Sequence, residues 1–579
     1  MKNKLYYGDN IEVLQRYLAS ASVDLIYLDP PFKSDEDYNV LFETKDGTRS
    51  PAQITAFEDT WRWDRAAARN YRSVVEDGPQ RVARALKSFR QLIGETDMLA
   101  YLSMMAPRLL ELRRVLKDSG SIFLHCDTAA SHYLKLLMDA IFEPDNFRNE
   151  IIWRNYSQKN VTSKFGSIHQ SIFFYSKTDD YFFKPTYRPY TKRHVKKRYS
   201  QDEQGRFRET IGGNILTGSG SRDGESGQEW RGVDPTEKGR HWAVPQSLKK
   251  KLDKDIDHLT VTEQLEELYQ AGYIKIKDSA FWPQRVIYLE DKKGNPIQDL
   301  WAYQPGTEGA LHGTENGVDA DVKWIPPRST QRLGYPTQKP NGLLDRIIKA
   351  ACPEDGVVLD PFCGCGTAIA SAEELDRDWI GIDVTHIAIA LIRHRLNSSF
   401  NSVKFDVIGE PETLNGAKQL AKEDRFQFQY WALGLVGARP NKEQESRGAD
   451  QGIDGRIYFH DDDSTNTKEI IISVKSGQSI GPKDVRDLRG VVNRESAEIG
   501  VLITLKGPTQ AMRKEAASGG FYRSPYTNRD HSKIQVITIQ ELLDGKGIDM
   551  PPISQVNDSF RKARSERRED GSKQTSLNI

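Results

Sequence analysis

The residues best placed to do chemistry are Asp29-Pro30-Pro31-Phe32, which close the apolar run Val23-Asp24-Leu25-Ile26-Tyr27-Leu28. That run reads as a buried strand ending abruptly, because neither proline has an amide hydrogen to give a ladder. The chain must leave the sheet there. One short, rigid loop then holds a carboxylate, a proline carbonyl and an aromatic face. Such a loop suits a planar amino group on an aromatic ring: Asp29 and the Pro30 carbonyl accept its two hydrogens, and Phe32 stacks on the ring. The guest is expected to be a nucleobase.

A second constellation lies far downstream. Gly356 to Leu359 form an apolar strand that ends in Asp360-Pro361-Phe362-Cys363-Gly364-Cys365-Gly366-Thr367, followed by a helical pattern from Ala368 to Leu375. Trp379-Ile380-Gly381-Ile382-Asp383 supplies the next strand, with an acid at its end. Glycines at the first turn of a doubly wound sheet let the backbone approach a nucleoside, and an acid ending the next strand can hold ribose hydroxyls. A nucleoside cofactor is implied.

These two constellations, together with Tyr335-Pro336-Thr337-Gln338-Lys339-Pro340, resemble the DNA amino-methyltransferases that use S-adenosylmethionine. With the catalytic loop first and the cofactor loop last, the order resembles the circularly permuted β group of that family. The resemblance covers residues 1 to 408 and implies a Rossmann-like doubly wound α/β domain interrupted by a target-recognition segment. It implies that Asp29, Pro30, Pro31 and Phe32 act on the base. It places the cofactor on Asp360, Pro361, Phe362, Gly364, Gly366, Thr367 and Asp383, with Asp9 near the adenine ring and Lys339 at the methionine carboxylate. Asp rather than Ser before the two prolines favours N6 of adenine, with N4 of cytosine as the alternative. A base inside a duplex must be flipped out to be reached. No Pro-Cys nucleophile of the cytosine C5 kind is present, so no covalent intermediate is expected.

The elements that must position these residues follow from periodicity. Ile11 to Leu18 has helical spacing behind an Asn10 cap, Leu99 to Leu116 is a helix closed by Lys117-Asp118-Ser119-Gly120, and Ser121 to His125 is a strand. His125, Cys126 and Asp127 are adjacent on that strand and so point to alternate faces, which excludes a catalytic relay. Pro340 to Cys352 is a helix with Leu343, Leu344, Ile347, Ile348 and Ala351 on one face. The expected layout is 1–155 for the catalytic half, 156–325 for target recognition, 326–408 for the cofactor half, 409–560 for a further domain, and 561–579 for a charged tail.

Within the recognition segment, Lys184 to Tyr199 interleaves seven Lys or Arg residues with three tyrosines. Cations on phosphates release counterions, so Arg188, Lys192, Arg193, Lys196 and Lys197 are candidates for a DNA backbone contact.

The last domain resembles the nuclease fold of Mrr-like restriction enzymes, with Asp454 and Lys475 at the positions of the metal-binding acid and the lysine. Ser473 departs from that pattern where an acid or amide is expected. A hydroxyl is a poor ligand for Mg²⁺, so metal would bind only if Glu469, Asp450 or Glu445 substituted. Mg²⁺ therefore enters only if this domain cuts DNA, which would make the chain a single-chain restriction-modification enzyme. Without cutting, the domain is expected to bind DNA or dock a partner.

Basic and acidic residues balance at 82 each in 579, so any DNA-binding surface must come from local segregation of charge. The four cysteines, Cys126, Cys352, Cys363 and Cys365, show neither zinc-ligand pairing nor a disulfide framework. Neither a signal peptide nor an apolar run of roughly 18 residues is found, so a cytoplasmic protein without membrane contact is expected. Expected partners are double-stranded DNA, a second copy of the chain, and a restriction or helicase subunit.

Overall fold

The computed structural model describes residues 3–31, 63–157, 161, 163–212, 215–277, 280–326, 329, 331, 333, 335, 337–400, 403–440, 452–459, 461, 467–477 and 479–551. Phe32, Asp450, Glu445 and the charged tail therefore lie outside the described residues. The chain divides into two compact units, one of Met1–Lys184, Asp299–Ala302 and Asp321–Ile579, the other of Pro185–Gln298 and Tyr303–Ala320.

The larger unit contains a nine-stranded sheet built from β1 (Asn3–Tyr7), β2 (Val23–Leu28), β3 (Leu116–Cys126), β4 (Phe147–Arg154), β5 (His169–Ser176), β6 (Leu300–Trp301), β7 (Val357–Asp360), β8 (Asp378–Asp383) and β9 (Phe405–Ile408). Their order across the sheet is β6-β4-β5-β3-β2-β7-β8-β1-β9. Every residue of β2 is buried, as expected of a central parallel strand covered on both faces. Each fully buried Leu or Ile there contributes roughly 1.5–3 kcal/mol of burial energy. The neighbours of β2 are both parallel: β3 on one side and β7 on the other, with Leu25 opposite Val358 and Ile26 opposite Leu359.

One charged residue interrupts the apolar run, and it sets this junction. Asp24 Oδ2 accepts from Lys117 Nζ (2.7 Å) and from the Val357 amide at the start of β7 (2.9 Å). A buried carboxylate left unpaired is expensive, so these two bonds fix β2 between β3 and β7.

Two boundaries differ from the sequence reading. Asp9, not Asn10, caps α1 (Asn10–Tyr17), because its carboxylate accepts the Ile11 amide. The helix α2 (Asp97–Val115) runs straight into β3, so Lys117 to Gly120 are strand rather than a helix stop. A Cβ on Gly120 would lie 2.9 Å from the Asp24 carbonyl, which explains the glycine without any cap.

The stretch from 341 to 399 adds α3 (Asn341–Ala351), α4 (Thr367–Glu374) and α5 (His386–Ser399), with all five expected apolar residues of α3 buried. Beyond β9 the helix α6 (Arg425–Leu435) packs Phe428, Trp431 and Ala432 onto a second sheet. That sheet is five-stranded, in the order β10 (Arg439–Pro440), β11 (Gly455–Phe459), β12 (Lys468–Lys475), β13 (Ile499–Thr504), β14 (Ile534–Thr538). On its other face α7 (Pro482–Glu495) buries Val485, Leu488 and Val492 against Ile471 and Leu502.

The smaller unit has its own core around Leu216, Trp230, Trp242, Leu265 and Leu268. Leu300–Trp301, inside the stretch expected for target recognition, instead pairs with β4 of the large sheet.

Gly366 (φ 71°, ψ 37°) and Gly239 (φ 64°, ψ 37°) share a left-handed backbone, but only at Gly366 would a Cβ meet a neighbour, 2.6 Å from Ile392 Cγ1. Both alanine variants should lose about 1 kcal/mol from the backbone, and Gly366→Ala a further ~1–3 kcal/mol from overpacking. Calorimetric unfolding showing equal losses would remove the packing argument.

Candidate functional site

Strand connections leave β2 and β7 in opposite directions across the sheet: β2 is followed by its neighbour β3, and β7 by its neighbour β8 on the far side. In an open α/β sheet ligands bind outside the carboxyl ends of the strands at such a reversal. Asp29 follows the end of β2, and Asp360 is the last residue of β7. The two constellations read from the sequence therefore meet at the one point where a crevice is expected.

Asp29 is largely enclosed. Its Oδ2 accepts from the ammonium of Lys339, while its Oδ1 is buried and takes no hydrogen bond from the described residues. Lys339 is itself buried, and its Nζ also donates to the Thr337 carbonyl (3.3 Å). Its backbone carbonyl accepts from Thr367 Oγ1 (3.3 Å), the first residue of α4. A single lysine thus spans from the loop after β2 to the glycine turn. The sequence expectation sent this side chain to a cofactor carboxylate; here it lies on Asp29. Pro30 is buried and Pro31 half-buried.

The turn from Asp360 to Thr367 is held from several sides. Asp360 accepts the Phe362 amide (3.1 Å), and burial, followed by the nearby Asp29 and Asp383 charges, pushes its carboxyl well above the ordinary range. The Pro361 carbonyl accepts from Asn10 Nδ2 (2.9 Å). Gly364 adopts φ 48°, and a Cβ there would lie 3.1 Å from the Tyr335 ring. The Gly364 amide donates to Asp383 Oδ2 (2.9 Å), and Asp383 Oδ1 accepts from the amide and hydroxyl of Thr385. Burial raises Asp383 to about 6 despite those bonds. Asp9 is committed to its cap and to a two-bond pair with Arg108 (2.8 and 3.1 Å).

Three supporting residues were not singled out from the sequence. Arg395, buried in α5, donates to the Cys365 carbonyl (3.1 Å), to Thr367 Oγ1 (3.3 Å) and to Asn341 Oδ1 (2.7 Å). Its signal was an arginine inside the apolar pattern of that helix. Arg108, also bonded to Asn10 Oδ1 (2.7 Å), joins α2 to the start of α1. Tyr335 packs over the glycine turn.

Behind the site, His125 Nε2 donates to Gln170 Oε1 (2.9 Å), which leaves Nδ1 to accept from the Tyr27 hydroxyl (2.8 Å). Burial first, then the Lys339 charge, lowers His125 to about 3, so the ring is neutral. Cys126 Sγ approaches the Ser171 carbonyl (3.6 Å) and Asp127 caps the Ala129 and Ala130 amides, so the three adjacent residues serve separate purposes. All four cysteines are free and buried, and no cluster of three metal-ligating side chains occurs among the described residues.

In the C-terminal domain Asp454 is buried with both oxygens engaged. Gln429 Nε2 donates to Oδ1 (3.0 Å), and Ser473 Oγ (3.1 Å) and the Val474 amide (2.6 Å) donate to Oδ2. Glu469, a candidate substitute ligand, is paired with Arg456 (2.6 Å).

In the smaller unit, Lys192, Arg193, Lys196 and Lys197 are exposed along the helix Lys192–Arg198, while Val195 and Tyr199 are buried. Arg188 pairs with the buried Asp319 (3.2 Å).

A family model described as DNA methylase matches residues 23–393, and one described as NACHT-associated inactive restriction endonuclease 1 matches residues 427–544. The type II methyltransferase M.EcaI of Enterobacter cloacae is 30% identical over 298 residues, which are 51% of this chain and 57% of that one. The Mod subunit of the type III restriction-modification enzyme StyLTI of Salmonella typhimurium is 30% identical over 387 residues, 65% of this chain and 50% of that one. The chain thus spans between half and three fifths of the length of these relatives. The solved PvuII cytosine-N4-specific DNA methyltransferase is 12% identical, over 69% of this chain and 89% of that one, with a TM-score of 0.31. Among the described residues no helix is long and apolar enough to cross a membrane.

Proposed function

The chain belongs to the DNA methylase family, and on that premise we propose that it methylates the exocyclic N6 of an adenine flipped out of double-stranded DNA, within a restriction-modification system. The observation that carries this reading is Asp29 Oδ1, a buried carboxylate oxygen without a described partner, at the end of β2 beside the glycine turn. It is the acceptor that an amine with two hydrogens needs.

The residues fit S-adenosylmethionine. Gly364 and Gly366 put bare backbone at the crevice, and Asp383 ends the next strand as the acid that would hold hydroxyls. Bound there, the cofactor supplies an electrophilic methyl group on a sulfonium. The chain's part is orientation. Asp29 Oδ1 and the Pro30 carbonyl take the two hydrogens of the amine and aim its nitrogen lone pair, a positioning effect. The proton that the amine sheds on methylation passes to Asp29 Oδ1. Stacking on Phe32 returns roughly 1–3 kcal/mol, against a flipping cost of a few kcal/mol. Cytosine N4 presents a similar amine; Asp29 in place of a serine favours adenine by family resemblance.

The strand order supports a circular permutation: β7 and β8, which carry the cofactor residues, follow β1 to β5 in the chain yet sit between β2 and β1 in the sheet. The smaller unit is read as the target-recognition domain, with Lys192, Arg193, Lys196 and Lys197 on the DNA backbone. The C-terminal domain is read as a nuclease fold that does not cut, because Asp454 is already satisfied by Gln429, Ser473 and Val474.

Asp29→Ala should abolish methyl transfer to DNA while leaving cofactor affinity within a few-fold; equal loss of both would show that Asp29 serves the cofactor. Neutralising Lys192, Arg193, Lys196 and Lys197 together should flatten the slope of log affinity against log salt by about 3 to 4, near 0.9 per phosphate contact. An unchanged slope places the contacts elsewhere. With Mg²⁺ and duplex DNA the full chain should produce no strand cleavage. Cutting that disappears in Lys475→Ala would overturn the assignment of this domain.

A further inference from the structure

The side chain of Lys339 has no role in the reading above. It is buried, and its ammonium donates to Asp29 Oδ2 and to the Thr337 carbonyl (3.3 Å). Its own carbonyl is held by Thr367 Oγ1 (3.3 Å), which Arg395 Nη1 fixes in turn (3.3 Å). The backbone of Lys339 is therefore part of the glycine-turn framework, while its side chain ends on the carboxylate across the crevice. A carboxylate held at one oxygen by a charged donor cannot rotate freely about its last torsion, and charge-assisted bonds are the strong ones.

We propose that Lys339 is a positioning residue for the transfer: by occupying Asp29 Oδ2 it locks the carboxylate so that Oδ1 alone meets the incoming amine. This rests on the reading of Asp29 as the amine acceptor. It removes Lys339 from the cofactor's carboxylate, where the sequence pattern had put it. The bridge also makes the acceptor's orientation depend on the glycine turn, since Thr367 and Asp29 are joined through one residue.

The two roles for Lys339 separate in an experiment on the full chain. S-adenosylmethionine affinity is measured by calorimetry, and single-turnover methyl transfer is measured on duplex DNA at saturating cofactor. Lys339→Met should slow transfer by about 100-fold, the order expected for an ångström of misplacement, with cofactor affinity within about threefold. Lys339→Arg, which keeps a charged donor, should recover part of the rate. A loss confined to cofactor affinity, with transfer at saturation intact, would assign Lys339 to the cofactor and overturn the proposal. So would equal losses in both, which a merely structural lysine would give. A parent chain that binds cofactor and transfers no methyl group to any duplex would instead overturn the reading of Asp29, and this assignment with it.

Discussion

The structure depends on β2 and β7 lying side by side. These strands are more than three hundred residues apart in the chain, and little in their apolar sequences specifies which neighbour each takes. Asp24 supplies the specificity. A carboxylate in the middle of a buried strand has to be paired, and it is paired with the first amide of β7 and with Lys117 at the start of β3. Any other strand in the place of β7 would have to supply a donor to Asp24 at the same point. Once the two strands are adjacent, the carboxyl end of one presents Asp29 and the carboxyl end of the other presents the glycine turn. The Lys339 bridge closes the gap between them.

Much of this was legible in the sequence because the signals were strong and local. Pro30-Pro31 had to end a strand, and Gly364 and Gly366 had to make a tight turn; the left-handed φ of both glycines agrees. The apolar face of α3 was read residue by residue. The failures were failures of competition between partners. Asp9 and Asn10 are equally good caps on paper, and since Arg108 holds both, the choice turns on Asn10 being needed by the Pro361 carbonyl. Lys117 to Gly120 look like a helix stop, but Lys117 is drawn into β3 by Asp24. Arg395 and Lys339 show the same limit: a cation's partner is set by the tertiary fold, and spacing along the chain does not reveal it.

In the C-terminal domain a buried acid is held entirely by protein donors: the Ser473 hydroxyl turns inward as a donor to Asp454. With Gln429 reaching the other oxygen from α6, the acid becomes the node that ties a helix to β12. The same helix packs against the methyltransferase side of the unit, where Gln427 Oε1 accepts the His386 amide at the start of α5 (3.1 Å). The two sheets are therefore mechanically joined just beyond Asp383.

The most direct test is a crystal structure of the full chain with a duplex carrying its methylation site and a non-reactive analogue of S-adenosylmethionine. The analogue should lie over the Gly364 turn beside Asp383, and an extruded adenine should place its amine between Asp29 Oδ1 and the Pro30 carbonyl. A target base still stacked in the duplex, or an analogue bound away from the junction of β2 and β7, would contradict that arrangement.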